Sequence, residues 1–549
     1  MDLYDQPCPS RRPPQRLAET AFGRRSSTYP TLDRKPVYAR YGAVATSHPL
    51  AAQSGLQVLR TGGSAVDAAV AAAITLTVTQ PPANDIGADL FALVWDGKQL
   101  HGLNASGRTP AALSLEAAAA GNLTRGWLSV TVPGAPAGWR DLHHRFGSLP
   151  FHHLFRDAIR YARDGHPVSP TVAEHWHREA RINASLGNDV FREWQKVFTL
   201  NGRPPKAGDM WANPEAADTL EAIAQSGAET LYRGTLARRI AAHARRTGGQ
   251  LSEEDLAAHE SLWATPLHVS YRSHEVWELP PNSQGLAPLM ALQILEGLPE
   301  SDNVFQWTHH AIEATKIALT DTRAHVADRD HMDVDPATLL TPELAAARRA
   351  LISDRAWTPP PEVTAPKNDT VYVAAVDANG VMVSLIQSTF MGAGSHVVTP
   401  GTGFSLQNRA AGMSLDPAHP NRAAGGKRPF HTIIPGFLTK GGSPCGPFGI
   451  VGAHMQPQGH VQLMIKMLDQ HANPQTALDA PRWCWTSGRS VLLEPQFSNL
   501  ADDLRAAGHD VAISEDLTPF GVGQIAQRHA TGGYIAGSDP RGDGLVAAW

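Results

Sequence analysis

The stretch TVYVAAVDANGVMVSLIQS, residues 370–388, decides the fold. Two apolar runs rich in β-branched residues flank Asn379-Gly380, a dipeptide that strongly favours a tight turn between antiparallel strands. The stretch therefore predicts a β-hairpin that starts at Thr370. This threonine has two interpretations: a β-branched residue that begins a strand, or a hydroxyl that the chain presents for chemistry.

The segments before this hairpin are mostly helical. Two runs with small and apolar residues at helical spacing occupy residues 47–60 and 62–76, and the second is so rich in alanine that we expect it to be buried. Residues 91–105 predict a second hairpin with an Asp-Gly turn. The segments from about residue 150 to 260 and from about 300 to 355 again favour helices. The helix-rich first part of the chain and its strand-rich last part predict a layered fold of the α+β or α/β class.

A proline-rich connector, TPPPEVTAPKND at residues 358–369, separates these two parts. Proline stiffens a chain and excludes it from regular structure, so we expect this connector to be exposed. Exposed connectors are the usual sites of proteolytic cleavage. At the other end of the chain, residues 1–38 contain two Arg-Arg pairs without a following apolar stretch, and we interpret them as a mobile tail.

The composition excludes several classes of protein. An apolar fraction of 42% predicts an ordinary globular core, and a net charge of −5 without a long basic run argues against a nucleic-acid partner. The most apolar segment, residues 66–82, is too short and too rich in alanine to span a membrane. Cys8, Cys445 and Cys484 are far apart and predict neither a disulfide framework nor a zinc cluster. We therefore expect a cytoplasmic protein.

Three isolated motifs each lack a residue or a spacing that their function requires. In AAGGKRP, Arg428 stands where a phosphate loop needs serine or threonine. Ser283, in PPNSQG, lacks the first glycine of a nucleophile elbow. His309, His310 and Glu313 share a helix but lack the HExxH spacing of a zinc site, so we interpret these histidines as surface residues.

Several motifs in order along about 450 residues resemble the gamma-glutamyltransferase family of N-terminal-nucleophile hydrolases. The matching segments are HPLAAQSGLQVLRTGGSAVDAAVAAA (48–73), TVPGAPAGWRDLHHRFGSLPF (131–151), LPPNSQG (279–285), GKRPFHTIIP (426–435), NPQTALDAPRW (473–483) and GSDPRGDG (537–544). An ordered series of motifs is far more specific than any single one.

The resemblance implies a four-layer αββα sandwich and a proenzyme that cuts itself between Asp369 and Thr370. The products would be a large chain, with residues 39–369 as its helix-rich part, and a strand-rich small chain, 370–549, intertwined as one catalytic unit. Once Thr370 is N-terminal, its α-amino group can act as general base for its own hydroxyl. The family's oxyanion glycines fall on Gly452 and Ala453, and both residues keep the backbone N–H that an oxyanion needs.

The remaining catalytic and binding positions depart from the glutathione-processing members. Ser388 falls on a family threonine whose hydroxyl assists the nucleophile. Ser106 replaces the arginine that holds the glutamate carboxylate, with Arg108 two residues later. Arg409 and Gly412 lie where those members use glutamine and aspartate around the α-amino group.

The family's paired serines become His431 and Thr432. Because Arg409 replaces an acidic environment, an α-ammonium group is hard to place beside it, whereas a carboxylate fits its guanidinium fork. We therefore expect Arg108, Arg409, His431 and Thr432 to bind a small acyl amide that carries a carboxylate.

Two other functions stay open at the level of sequence. One is gamma-glutamyl hydrolysis or transfer on glutathione, and the other is a family member that has lost catalysis and serves as a binding or scaffold protein. We expect no cofactor and no metal, because nucleophile and base reside in one residue. The expected partner chains are those of a processed heterodimer, and the family resemblance also allows a dimer of such heterodimers.

Overall fold

The hairpin at residues 370–388 lies in the middle of a seven-stranded sheet. The computed structural model describes residues 34–187, 189–299, 301, 303–360 and 370–549. The strands of this part are β1 Val37–Ala39, β2 Ala43–Thr46, β3 Asp89–Trp95, β4 Leu100–Ala105, β5 His166–Pro167, β6 Met210–Trp211, β7 Leu262–Ala264, β8 Leu267–Tyr271, β9 His274–Glu278, β10 Val371–Val376, β11 Met382–Ser388, β12 Gly436–Lys440, β13 Ser443–Ile450, β14 Trp483–Ser487, β15 Ser490–Leu493, β16 Asp510–Ile513, β17 Gly523–Arg528, β18 Tyr534–Ser538 and β19 Leu545–Ala548.

The α-helices of the described residues alternate with these strands mainly in the first two thirds of the chain. They are α1 Pro49–Arg60, α2 Ala65–Thr79, α3 Leu115–Ala120, α4 Ala135–Phe146, α5 Arg156–Asp164, α6 Pro170–Leu186, α7 Arg192–Val197, α8 Pro214–Ser226, α9 Glu229–Tyr232, α10 Thr235–Arg246, α11 Glu253–Ala257, α12 Leu286–Glu296, α13 Val304–His325, α14 Pro342–Arg349, α15 Met455–Met464, α16 Pro474–Asp479 and α17 Ala501–Ala506.

Strands from both sides of Thr370 are interleaved in two large sheets. The first sheet has the order β19-β2-β10-β11-β3-β4-β7, and the second has the order β1-β18-β17-β13-β12-β9-β8. β10 pairs antiparallel with β2 on one side and with β11 on the other, and β11 pairs antiparallel with β3. The hairpin is therefore held on both edges by strands that precede it in the chain.

Successive residues of β10 face two different cores, as the period of two in a strand requires. Val371 and Val373 pack with the residues of α2. Tyr372 and Ala374 pack between the two sheets. On the far side of the second sheet, α12 and α15 pack against β8, β9 and β13. This arrangement of helices, sheet, sheet and helices confirms the predicted αββα layers.

Helix α2 is buried along its whole length, as its composition predicts. A capping box fixes its start: the amide of Asp67 donates to Ser64 Oγ at 3.1 Å, and Asp67 Oδ2 accepts from the amide of Ser64 at 3.0 Å. Small side chains let this helix pack closely on sheet and helices at once. No helix in the described ranges is both long and apolar enough to cross a membrane.

Two predicted segments fall wholly or partly outside the described residues. Residues 1–33 of the predicted tail and residues 361–369 of the connector, including Asp369, lie outside the described residues. The described part of the predicted tail is not featureless, because β1 already begins at Val37 and pairs with β18.

Candidate active site

Thr370 and Ser388 meet at the open end of the β10–β11 hairpin. Val371 pairs with Gln387 across the hairpin, so the residue before β10 lies beside the last residue of β11. Thr370 Oγ1 donates to Ser388 Oγ at 3.1 Å, and Ser388 Oγ also accepts from the amide of Phe390 at 2.9 Å. The turn chemistry of the hairpin thus places two hydroxyls together, although eighteen residues separate them along the chain.

Thr370 is 5% exposed and reaches a cavity of about 350 Å³. Gly452 lines the same cavity, and segments on its other sides contribute Glu174, Asp516 and Asp543. A cavity of this size suits a small molecule. The arrangement therefore presents a hydroxyl at the wall of a chamber that a small substrate can fill.

The turn Gly452-Ala453 follows β13 and precedes α15. Gly452 has φ 126° and Ala453 has φ 54°, so both residues adopt backbone conformations that side chains rarely allow. No acceptor among the described residues bonds to the amide of either residue. The turn is anchored instead through its carbonyl, because Gln284 Nε2 donates to the oxygen of Ala453 at 2.8 Å. Two amides are thus available as donors beside the Thr370 cavity.

Arg409 is fully buried and only partly bonded. One terminal nitrogen donates to Thr432 Oγ1 at 3.0 Å, and the guanidinium lies 4.1 Å from the centre of the Phe390 ring. Its Nε and its other terminal nitrogen have no hydrogen-bond partner among the described residues. Burial lowers the pKa of Arg409 to about 9, so the group is still a cation at neutral pH. Arg409 therefore keeps two unbonded donor nitrogens and a positive charge for an anion.

His431 and Asp89 form a buried pair next to Arg409. His431 Nε2 lies 3.0 Å from Asp89 Oδ2. Burial and the charge of Arg409 hold the pKa of His431 well below its usual value, so the imidazole is neutral. Burial raises the pKa of Asp89 to about 7, against the opposing effect of Arg409. The sequence analysis did not single out Asp89, although a carboxylate that opens an otherwise apolar strand is a usable signal.

Arg108, like Arg409, His431 and Thr432, is not among the residues that line the Thr370 cavity. Its side chain is 37% exposed and pairs with Asp328 at 2.8 Å. The same nitrogen donates to the carbonyl of Gly426 at 2.8 Å. Of the two arginines expected to bind substrate, Arg409 is the buried one with unbonded donors, and Arg108 already has its carboxylate.

The interpretation of His309 as a surface residue is wrong, because its side chain is 2% exposed. His309 Nδ1 lies 2.8 Å from His509 Nε2, and Glu313 completes a group with the residue types of a metal site. Lys316 Nζ, however, lies 2.6 Å from Glu313 Oε1 and is buried with it. The ammonium group takes the charge-compensating position that a metal ion would need, so the cluster is a hydrogen-bonded network.

Known proteins are similar to this chain along most of its length. The gamma-glutamyltranspeptidase family model matches residues 51–549. The chain is 35% identical to the oxamate amidohydrolase proenzyme of Klebsiella pneumoniae, over 93% of this chain and 98% of that protein. It is 33% identical to the glutathione hydrolase-like YwrD proenzyme of Bacillus subtilis, over 93% of this chain and 99% of that one. The solved structure of a cephalosporin acylase from Bacillus halodurans is 46% identical, with a TM-score of 0.93 over 96% of this chain and 99% of the other.

Proposed function

This chain belongs to the gamma-glutamyltranspeptidase family, and on that basis we propose that it is a self-processing amidohydrolase with Thr370 as its nucleophile. Relatives in this family are proenzymes that act on amide bonds. The observation that carries the proposal is the position of Thr370, whose hydroxyl bonds to Ser388 and lines a cavity together with Gly452.

Processing at the Asp369–Thr370 bond converts Thr370 into a complete catalytic unit. The new α-amino group has a pKa of about 8, so about a fifth of it is neutral and basic at physiological pH. It accepts the proton of the Thr370 hydroxyl while Oγ1 attacks the amide carbonyl of the substrate. Before this transfer Thr370 Oγ1 donates to Ser388 Oγ at 3.1 Å, so the proton turns from Ser388 to the α-amino group as Oγ1 attacks, and the Ser388 hydroxyl then donates to Oγ1.

The tetrahedral intermediate needs donors for its oxygen, and the amides of Gly452 and Ala453 supply them. When the C–N bond breaks, the amine leaves with the proton that the α-amino group took from Thr370. The acyl group remains as an ester on Oγ1. Water then attacks this ester, releases a carboxylic acid and restores the hydroxyl.

Arg409 favours an acyl group that ends in a carboxylate. Its two unbonded donors match the two oxygens of a carboxylate, and Thr432 fixes the third side of the guanidinium. An uncompensated ammonium group would be repelled at the same place. This charge arrangement supports hydrolysis of a carboxy-acyl amide over a gamma-glutamyl amide, the substrate type that the glutathione hydrolase relatives suggest.

Three anilides that differ in one group test this proposal. Glutaryl para-nitroanilide is gamma-glutamyl para-nitroanilide without the α-amino group, and valeryl para-nitroanilide also lacks the carboxylate. We expect kcat/KM to be highest for the glutaryl compound, by about tenfold or more over each of the others, because a single charge interaction in a buried site is worth that much. Preference for the gamma-glutamyl compound would support gamma-glutamyl transfer instead. Failure to hydrolyse any anilide or oxamate would favour a non-catalytic role.

The proposal includes a large chain that ends at Asp369 and a small chain, 370–549, that stay together. Each chain alone would lose neighbouring strands from both sheets, because β10 and β11 lie between β2 and β3. Pairing of two such heterodimers and a cytoplasmic location stay predictions of the sequence.

A further inference from the structure

Asp89 lies at the point where the separate parts of the candidate site meet. It is the first residue of β3, is fully buried and pairs across the sheet with Ser388. The mechanism proposed above gives it no role. Its position next to the assisting hydroxyl and within the electrostatic reach of Arg409 makes a role in the site testable.

The carboxylate of Asp89 accepts hydrogen bonds from four different segments. Oδ1 accepts from the amide of Gly107 at 2.9 Å, from the amide of Gly134 at 3.1 Å and from Gln407 Nε2 at 2.8 Å. Oδ2 accepts from His431. These segments are four of the stretches that the sequence analysis associates with substrate binding or with the family. One side chain therefore connects them.

The loops are built to approach this carboxylate closely. A Cβ added to Gly134 would lie 2.9 Å from Asp89 Oδ1 and 1.8 Å from the carbonyl oxygen of Ala105. Neither contact leaves room for a side chain. The carbonyl of Ala105 alone requires glycine at this position, and the same absence of a side chain lets the Gly134 amide reach the carboxylate of Asp89.

The hydrogen bonds of His431 fix which ring nitrogen donates. The amide of Ile433 donates to His431 Nδ1 at 3.4 Å, so Nδ1 is the acceptor and Nε2–H donates to Asp89. An amide group in place of the carboxylate would turn an N–H toward Nε2–H. The neutral imidazole therefore requires an acceptor at position 89.

The charge of Asp89 also acts on Arg409. Arg409 counters the rise in the pKa of Asp89, and Asp89 counters the fall in the pKa of Arg409. His431, Arg428 and Tyr232 are the other titratable or charged groups that contact Asp89 or interact with it electrostatically. His431 is neutral, so Arg409, Arg428 and, after processing, the α-amino group of Thr370 are the cations of the site at neutral pH, and Asp89 is the anion that offsets them.

We propose that Asp89 is a positioning residue whose carboxylate ties the Gly107 and Gly134 segments to Gln407 and His431, which are close in the chain to Arg409 and to its partner Thr432, and that it competes with the carboxylate of the substrate for the Arg409 charge. This inference rests on the proposed function, since it takes Arg409 to be the site for the acyl carboxylate. Protonated Asp89 leaves the charge of Arg409 uncompensated, and ionised Asp89 offsets it.

The consequence is a pH dependence of anion binding with a definite sign. With a raised pKa of about 7, Asp89 is mostly neutral at pH 6 and mostly ionised at pH 8. An anion should therefore bind more tightly at pH 6 and more weakly at pH 8. Arg409 stays charged over this range, because its pKa is about 9.

Calorimetric titration of the purified protein with glutarate tests this without relying on turnover. We expect the Kd of glutarate to rise about fivefold more between about pH 6 and 8 in the native protein than in Asp89→Asn, whose remaining pH dependence comes from the α-amino group of Thr370. His431→Gln keeps an N–H donor for Asp89 and should retain the native slope, whereas His431→Leu should weaken binding at both pH values by loss of the anchored segment.

Asp85→Asn is the matched control. Asp85 is equally buried and accepts two backbone amides, from Ile86 at 2.8 Å and Ser405 at 2.9 Å, but it does not bond to His431 or Gln407. We expect a lower melting temperature with an unchanged pH slope. A native slope in Asp89→Asn, a lost slope in Asp85→Asn, or no glutarate binding by the native protein would each overturn the inference. Glutarate binding with the expected slope but without anilide hydrolysis would overturn only the proposed function.

Discussion

Ser388 connects Thr370, the proposed nucleophile, to the loop that follows the hairpin. Its Oγ accepts from Thr370 Oγ1 and from the amide of Phe390, a residue at φ 84°. Phe390 in turn carries the ring under the Arg409 guanidinium. The Ser388 hydroxyl thus connects Thr370 Oγ1, through Phe390, to Arg409, where we expect the acyl carboxylate to bind.

Removing this hydroxyl should impair catalysis more than folding. We expect Ser388→Ala to lower kcat by about 10²-fold, as loss of a hydrogen bond to a reacting group typically does, with a modest fall in melting temperature because the Phe390 amide loses its acceptor. Ser388→Thr keeps the hydroxyl and is the control. Steady-state kinetics and thermal melting measure both effects. Equal kcat in Ser388→Ala and the native protein would show that the hydroxyl does not assist.

The glycine turn predicts opposite results for two neighbouring substitutions. Gly452→Ala places a side chain at φ 126° with its Cβ 3.3 Å from that of Met455, and we expect a loss of about 1–3 kcal/mol in stability and of most activity. Ala453→Gly keeps the N–H and relieves φ 54°, so activity should stay within about twofold. Anilide kinetics and thermal melting of both variants check this. Full activity in Gly452→Ala would argue against the oxyanion role.

The sequence is informative about Thr370 because turn chemistry and a strand pattern fix its place locally. It says less about Asp89, whose four partners come from segments more than fifteen residues away along the chain. The same limit applies to Arg108, since its pairing with Asp328 depends on how distant loops pack. Residue types and spacing predict reactive groups, but tertiary contacts decide which of them remain available.

At the scale of elements, the local sequence pattern predicts the packing of helices α1 and α2. Their small residues predict close packing, and Gly55 of α1 meets α2 so closely that an added Cβ would lie 2.9 Å from the carbonyl of Ala68. The local pattern is misleading for α13, because the polar sequence around His309 predicts a helix face that is exposed to solvent. Its partner His509 comes from the far end of the chain, which no local pattern contains.

Overfilling the contact between α1 and α2 should destabilise the protein without touching the site. We expect Gly55→Val to lower the free energy of unfolding by about 2–3 kcal/mol, because a close-packed interface cannot expand. Gln57→Ala, an exposed change on the same helix, should stay within about 0.5 kcal/mol of the native protein. Thermal melting of both variants provides the comparison. A melting temperature for Gly55→Val equal to the native value would contradict the packing described here.

At the scale of the whole molecule, the sheets place Thr370, the proposed start of the small chain, inside a structure that strands from both sides of it in the sequence build. Two stacked sheets with helices outside were predictable from the family resemblance and the strand patterns. The order of strands, which interleaves β2, β10, β11 and β3, was not, because strand order depends on long-range pairing. With this interleaving, the proposed cleavage would expose Thr370 without separating the two chains.

The most direct test of the central claim is the intact mass of the purified protein, together with N-terminal sequencing, beside a Thr370→Ala variant. The account predicts two chains from the native protein that remain associated without denaturant, the smaller beginning at Thr370. It predicts a single uncut chain from the variant. One intact chain from both proteins, or cleavage that survives the loss of the hydroxyl, would contradict Thr370 as the nucleophile.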